Sequence, residues 1–400
     1  MPNSNWRSPA VVLLCGGLIL TLAMGMRHGF GLFLQPMTQA HGWSRETFAF
    51  AMALQNLVWG LAQPFTGMLA DKFGAGKVLL AGAALYIAGL CVMALATSGA
   101  LFGWGSGLLI GLGLSGTTFS VVYGVIGRSF PPRKRSMALG IAGAAGSFGQ
   151  FAMIPATQTL ISSFGWMETL LIMALAAVAM APLSRALVEK REEVSPHKQQ
   201  SIVEAVREAF AHKSFLLLTL GYFVCGFQVV FIGVHFPSYL IDKGLTARDG
   251  VISLALIGLF NIVGTYTAGY LGGFMSKKYL LSSLYLARSI IIAGFLLLPI
   301  SPFTVYTFAI LMGLLWLATV PLTNGLVAQI FGVKHLSMLS GFVFFSHQVG
   351  SFLGVWAGGF LFDKTGSYDV VWMIAIGLGL MAMLANLPID EREVTRLKPA

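Results

Sequence analysis

Two of the chain's 25 basic Lys and Arg residues, Arg27 and Arg288, lie deep inside long apolar runs, while all fifteen Asp and Glu fall between such runs or at their ends. A guanidinium at the centre of a bilayer costs about 2.5–3.5 kcal/mol on insertion scales, so it must face water, backbone carbonyls or a partner. Arg27, followed directly by His28, has no carboxylate at its own depth. An anionic ligand would supply the missing counter-charge: an ion pair at about 4 Å contributes on the order of 4 kcal/mol at intermediate dielectric, and the planar fork can grip a carboxylate with two bonds. The competing role is an arginine bonded to helix carbonyls or to a neighbouring polar side chain, fixing the packing of the first half. Arg288 reads as structural, by snorkelling or by pairing with carbonyls. His347, in the unusually polar run Phe345–Gly350, can gain or lose a proton near neutral pH, or sit as a satisfied core histidine. Tyr123 and Asn261 add a hydroxyl and a carboxamide at depth, where interhelical hydrogen bonding is the commoner use. The candidate binding set is therefore Arg27, His28, Tyr123, Asn261 and His347.

The elements that position these groups follow from composition. The chain has 400 residues, 56% hydrophobic and 10% charged, with 48 glycines and a mean hydropathy of +0.80. A water-soluble chain carries about 25% charged residues, so most of this surface must face lipid. Apolar runs punctuated by charge, glycine and proline predict twelve spans over residues 10–38, 44–70, 77–97, 100–129, 135–162, 166–187, 214–241, 246–274, 278–299, 302–331, 335–362 and 368–388. Residues 188–213 are hydrophilic and predict a linker, with Ile202, Val203, Val206 and Phe210 marking either a short amphipathic interfacial helix or a solvated, partly helical stretch. The expected domains are thus 1–187, a cytoplasmic linker 188–213, and 214–400. With the N-terminus inside, 19 Lys and Arg face the cytoplasm and four face outward, which places both termini in the cytoplasm. The net charge of +10 therefore reports orientation in an inner membrane and implies no nucleic-acid partner. Cys15, Cys91 and Cys225 read as small buried hydrophobes, and the first run is too long for a cleaved signal.

The halves repeat weakly at an offset near 202 residues. Gly42-Trp43-Ser44 matches Gly244-Leu245-Thr246, with Ser44 and Thr246 placed to cap helix N-termini, and Gly67-Met68-Leu69 matches Gly269-Tyr270-Leu271. After the second span the chain reads Gly67-Met68-Leu69-Ala70-Asp71-Lys72-Phe73-Gly74-Ala75-Gly76-Lys77. A tight turn here asks for positive φ at Gly74 and Gly76, Gly67 permits close helix packing, and Asp71 beside basic residues suits a charge-assisted contact. This loop resembles the signature of the major facilitator superfamily. The resemblance implies an all-α membrane protein of two six-helix halves that rock in alternating access, with Gly67, Asp71, Gly74 and Lys77 forming a conformational latch that binds no substrate. The second copy has Gly273 where the aspartate would stand, so only the first half carries the latch.

Three stretches are similar to the monocarboxylate transporter and oxalate/formate exchanger branch: Gly31-Leu32-Phe33, the run Phe130-Pro131-Pro132-Arg133-Lys134-Arg135 through Gly140, and His235-Phe236-Pro237-Ser238-Tyr239-Leu240 through Gly244. His347 stands where the exchanger has a substrate-binding lysine. Two departures separate the chain from its likenesses. The span-eight arginine of that branch is absent from Asn261–Tyr266, and the span-four arginine of drug/proton antiporters is absent from Leu108–Gly113. The expectation is a secondary transporter moving a small, monocarboxylate-like organic anion by proton symport or anion exchange. The alternative is a multidrug or metabolite exporter with a mainly apolar cavity and a structural Arg27. No nucleophile elbow, Walker motif or zinc-ligand spacing appears, so no enzyme, cofactor or metal is expected, and the expected form is a monomer in the bilayer.

Overall fold

The structure, a computed structural model, describes residues 7–43, 45–188 and 200–395. The expected cap at Ser44, most of the linker's charged first half, and Arg396 and Lys398 lie outside the described residues. Hydrocarbon offers no hydrogen bonds, so each apolar run closes its backbone bonds within itself as a helix. The helices are α1 (Pro9–Gly29), α2 (Leu34–His41), α3 (Arg45–Phe73), α4 (Ala75–Ala94), α5 (Gly99–Phe102), α6 (Ile110–Thr117) and α7 (Phe119–Ser129). There follow α8 (Pro132–Phe164), α9 (Trp166–Ala177), α10 (Met180–Ser184), α11 (Ile202–Ala211), α12 (Lys213–Asp242), α13 (Ala247–Leu271) and α14 (Lys277–Leu297). The last four are α15 (Pro302–Leu315), α16 (Thr319–Phe331), α17 (Leu336–Thr365) and α18 (Asp369–Asn386). Among the described residues eleven spans are long and apolar enough to cross a membrane, and α3, 29 residues long and more polar, makes twelve.

Local chemistry sets the ends. Ser8 caps α1, with Pro9 in its first turn, and Thr246 and Asp249 form a reciprocal capping box on α13. The linker helix α11 buries Ala205 and Ala209 one turn apart and leaves Val203 exposed. Its Glu204 accepts the Ser201 N–H at 2.7 Å, which holds this carboxyl below the usual carboxylate range.

Contacts divide the chain into two units. The first comprises residues up to Pro131, Ala145–Val206 and Val333–Gly341; the second comprises Pro132–Ala144, Arg207–Gly332 and the chain from Phe342. Each unit therefore includes a short piece of a long helix, α17 or α8, whose remainder belongs to the other.

Four of the expected spans are interrupted, the sixth only by a turn between Ala177 and Met180. The first bends through a 3-10 turn at Phe30–Phe33 before α2. The fourth runs as α5, a π-helical stretch at Gly103–Leu109, α6 and α7, with extended backbone at Thr118 (φ −113°, ψ −163°). The tenth parts between Leu315 and Thr319. Breaks free backbone carbonyls, and a bilayer interior must have them bonded from inside the protein. In the first unit one face of α3 does this. Gln55 donates to the Ser106 carbonyl at 2.8 Å, Gln63 to the Ser115 carbonyl at 2.7 Å and Thr66 to the same oxygen at 3.1 Å. The spacing of these residues puts them on one helical stripe. This stripe accounts for the polar residues that α3 carries at membrane depth.

In the second unit the corresponding break is held by different side chains. Asn261 on α13 accepts the Leu317 N–H at 3.0 Å. Arg288 on α14, fully buried, donates to the Leu315 carbonyl at 2.6 Å, the Trp316 carbonyl at 2.5 Å and Gln228 at 3.5 Å.

A buried acceptor left unbonded costs about 1–3 kcal/mol. Gln55→Leu, which removes the side chain that donates to the Ser106 carbonyl, is accordingly expected to lower the stability of the detergent-purified protein by about that much. Gln158→Leu, an exposed glutamine on α8, should change it by less than about 0.5 kcal/mol. Thermal unfolding of the two variants side by side checks this, and equal shifts would show that the α3 stripe does not carry the break.

Candidate functional site

In the first unit, Arg27 lies in the last turn of α1, where the helix gives way to the 3-10 turn and its terminal carbonyls favour a cation. Its Nη2 donates to Asn56 Oδ1 and the guanidinium lies over the Trp59 ring, 5.0 Å from the centroid. Trp59 is itself fixed, its indole N–H directed to Gln63 Oε1 at 2.8 Å and Thr118 Oγ1 at 3.1 Å. Arg27 is thus oriented by a carboxamide and an aromatic face. Its Nε is buried without a hydrogen-bond partner, and among the described residues no carboxylate pairs with it. His28, the next residue, turns its Nδ1–H back to the Met24 carbonyl at 2.7 Å. Tyr123 on α7 is wholly buried, with its ring edge-on to Phe119 and its hydroxyl unpartnered.

The second unit holds the other two candidates. Asn261 is engaged at the α15–α16 break and also accepts from Thr265 Oγ1 at 3.0 Å. His347, 7% exposed, has Nδ1 3.2 Å from Gln348 Oε1 and 3.4 Å from Ser351 Oγ, between the rings of Tyr222 and Phe344. Its neighbourhood includes the Cys225 thiol, which bonds Thr319 Oγ1 at 3.2 Å. Cys225 is buried as expected, whereas Cys15 and Cys91 are partly exposed because their helices face lipid there.

At the end of α3, Asp71 receives three bonds at once. Arg128 Nη1 donates at 2.8 Å, the Met338 N–H at 2.8 Å and the Ser337 N–H at 3.3 Å. The last two are first-turn amides of α17, which have no partner inside their own helix, so the carboxylate caps that helix and meets the positive end of its dipole. Arg128 also donates to the Val333 carbonyl at 3.1 Å. Gly67 lies directly beneath, where a Cβ would overlap the Ser337 carbonyl. Gly74 has φ +96° as the turn requires, but Gly76 does not: it is inside α4 with ordinary helical backbone, and a Cβ there would strike the Val188 side chain. Its need for glycine is one of space. Lys77 is exposed on α4 and takes no part in the Asp71 cluster.

The second copy of the loop is organised without a carboxylate at Gly273. Lys277 donates to Gln329 at 2.6 Å, Gln329 donates to the Glu391 carbonyl at 2.9 Å, and Glu391 from the C-terminal segment accepts the Lys278 N–H at 2.7 Å. Arg128 was visible in the sequence only as one positive charge among many. It is 57 residues from Asp71, and no local spacing links the two.

The broken spans, the paired loops and the buried guanidinium are those of a membrane transporter. The chain belongs to the Major Facilitator Superfamily, whose family model matches residues 13–327. It is 27% identical over 391 residues to the uncharacterised MFS-type transporter YcxA of Bacillus subtilis, covering 93% of each chain. It is 25% identical over 397 residues to monocarboxylate transporter 13 of Rattus norvegicus, covering 97% of this chain and 90% of that one. Among solved structures, the E. coli fucose:proton symporter FucP superposes with a TM-score of 0.74 at 16% identity, covering 95% of this chain and 98% of that one. The human organic anion transporter MFSD10 gives 0.73 at 17%, covering 96% and 100%. These structures share the fold.

Removing one partner of a buried charge pair leaves the other uncompensated, so the Asp71 cluster should be strongly non-additive. A double-mutant cycle with Asp71→Asn and Arg128→Gln, read by thermal stability in detergent, is expected to give a coupling of about 1–3 kcal/mol. Additive effects would show that the pair is not energetically joined.

Proposed function

We propose that this transporter moves a small monocarboxylate-like organic anion by alternating access, with Arg27 as the carboxylate-binding group. The observation that carries this is a part-buried guanidinium oriented by Asn56 and Trp59, with a buried Nε donor unused and no carboxylate paired to it. An arginine held in a fixed plane loses little entropy on gripping a carboxylate, and Trp59 beside it offers an apolar wall for the remainder of a small anion. The relatives that are named monocarboxylate transporters support the same class.

The roles in this scheme differ by residue. His28 and Tyr123 extend the site in the first unit, the Tyr123 hydroxyl having no bond to give up on binding. His347 is the second-unit group, able to take a proton in symport or an additional charge in exchange. Asn261 acts by shaping the α15–α16 break that carries Trp316. The Asp71 cluster serves as the latch, since it closes α17 onto α3 by contacts that a rocking motion would make and break. The scheme takes the protein to lie in an inner membrane with both termini cytoplasmic, an orientation that the charge asymmetry supports.

The exporter reading rests on the same site seen differently: Asn56 and Trp59 already satisfy part of Arg27, and an arginine so held can be purely structural. Uptake into proteoliposomes separates the two. Radiolabelled lactate, pyruvate, oxalate and an aromatic cation are offered with and without an inward proton gradient. A monocarboxylate should accumulate. Arg27→Ala should lower its transport at least about thirtyfold, the loss expected when one partner of a desolvated charge pair is truncated, with Arg27→Lys intermediate. Anion uptake unchanged in Arg27→Ala removes Arg27 from the site, and transport of the cation alone favours the exporter.

A further inference from the structure

A cavity of about 330 Å³ in the first unit opens where α4 begins and the span formed by α9 and α10 ends. Lys77 and Arg185, both exposed, form its charged rim, while Leu80, Pro182 and Val188 form an apolar wall. No carboxylate is among the described residues that line it. The cavity exists because α4 and the end of the sixth span meet at Gly76, where the Val188 side chain and the Ser184 carbonyl occupy the room a Cβ would take. A third cation stands at the same place: Arg7 Nη1 donates to the Val188 carbonyl at 3.3 Å.

We propose that this cavity is a binding site for the phosphate headgroup of an anionic membrane phospholipid. Position and chemistry agree on that occupant. The rim is at the ends of two membrane spans, the level of lipid headgroups, with Lys77 in the first turn of α4 and Arg185 in the 3-10 turn that ends the sixth span. Leu80, 50% exposed, is one helical turn deeper into the span than Lys77, so the lining passes from cationic to apolar in the direction that a lipid passes from phosphate to acyl chain. Basic pockets between spans recognise lipid headgroups by this combination. A free phosphate would use the cations and leave the apolar wall idle, which is why the lipid is the assigned source. The site is separate from Arg27 and does not rest on the anion-carrier reading. Lys77, which closes the glycine-rich loop after α3, thereby acquires a role that the Asp71 cluster does not give it.

The test is native mass spectrometry of the delipidated full-length protein titrated with dioleoylphosphatidylglycerol, dioleoylphosphatidylcholine or inorganic phosphate. Each cation near an anionic headgroup is worth about fivefold, so Lys77→Gln with Arg185→Gln should weaken phosphatidylglycerol binding roughly thirtyfold, toward the phosphatidylcholine level. A second double variant, Arg133→Gln with Lys134→Gln, removes the same charge from exposed positions outside the cavity and should leave binding within about twofold. Size-exclusion profiles matching the wild type confirm that both variants are folded. Equal retention of the two lipids, or equal losses in the two double variants, overturns the site. Displacement of phosphatidylglycerol by equimolar inorganic phosphate overturns the lipid assignment.

Discussion

A hydrocarbon solvent accepts and donates no hydrogen bonds, and the rest of this structure depends on that one constraint. It forces the apolar runs into helices, and it turns every interruption of a helix into a demand on a neighbour. The breaks at Thr118 and between Leu315 and Thr319 sit at matching places in the two repeats, yet they are satisfied by unrelated chemistry. In the first unit the donors are Gln55, Gln63 and Thr66 of α3; in the second the partners are Asn261 and the buried guanidinium of Arg288. The repeat has kept the need and replaced the means.

The same constraint separates the two intramembrane arginines. Arg288 has three of its bonds directed at two carbonyls and a carboxamide, and its fork is spent on holding a broken helix. Arg27 is held by one carboxamide and one ring and keeps a buried donor unused. Two equal charges at membrane depth thus differ in what their neighbours leave them free to do. Asp71 shows the complementary case: a carboxylate at a span end is stabilised by an arginine and by helix amides together, which makes it a strong contact while both are present and a costly one once either leaves.

Much of this was legible in the residues. The twelve spans, the cap at Thr246, the close approach at Gly67 and the turn at Gly74 all follow from patterns local to a few turns of chain. What was illegible involved partners far apart in sequence. Gly76 has the composition of a turn glycine but serves packing against Val188, more than a hundred residues away, and Arg128 carried no mark that would single it out for Asp71. Asn261, read as a polar residue at depth, could not be distinguished from a ligand contact until the α15–α16 break was seen beside it.

By itself the sequence determined the solvent and the number of spans, because hydropathy is a sum over neighbouring residues and needs no knowledge of packing, and its charge asymmetry set the expected orientation. It also determined which side chains were out of place in lipid, since an arginine in an apolar run is anomalous wherever the run ends up. Only the tertiary structure decided what each anomaly does. The function of a buried polar group is set by the donors and acceptors within about 3 Å of it, and in a bundle of helices those are supplied by spans that sequence distance does not relate.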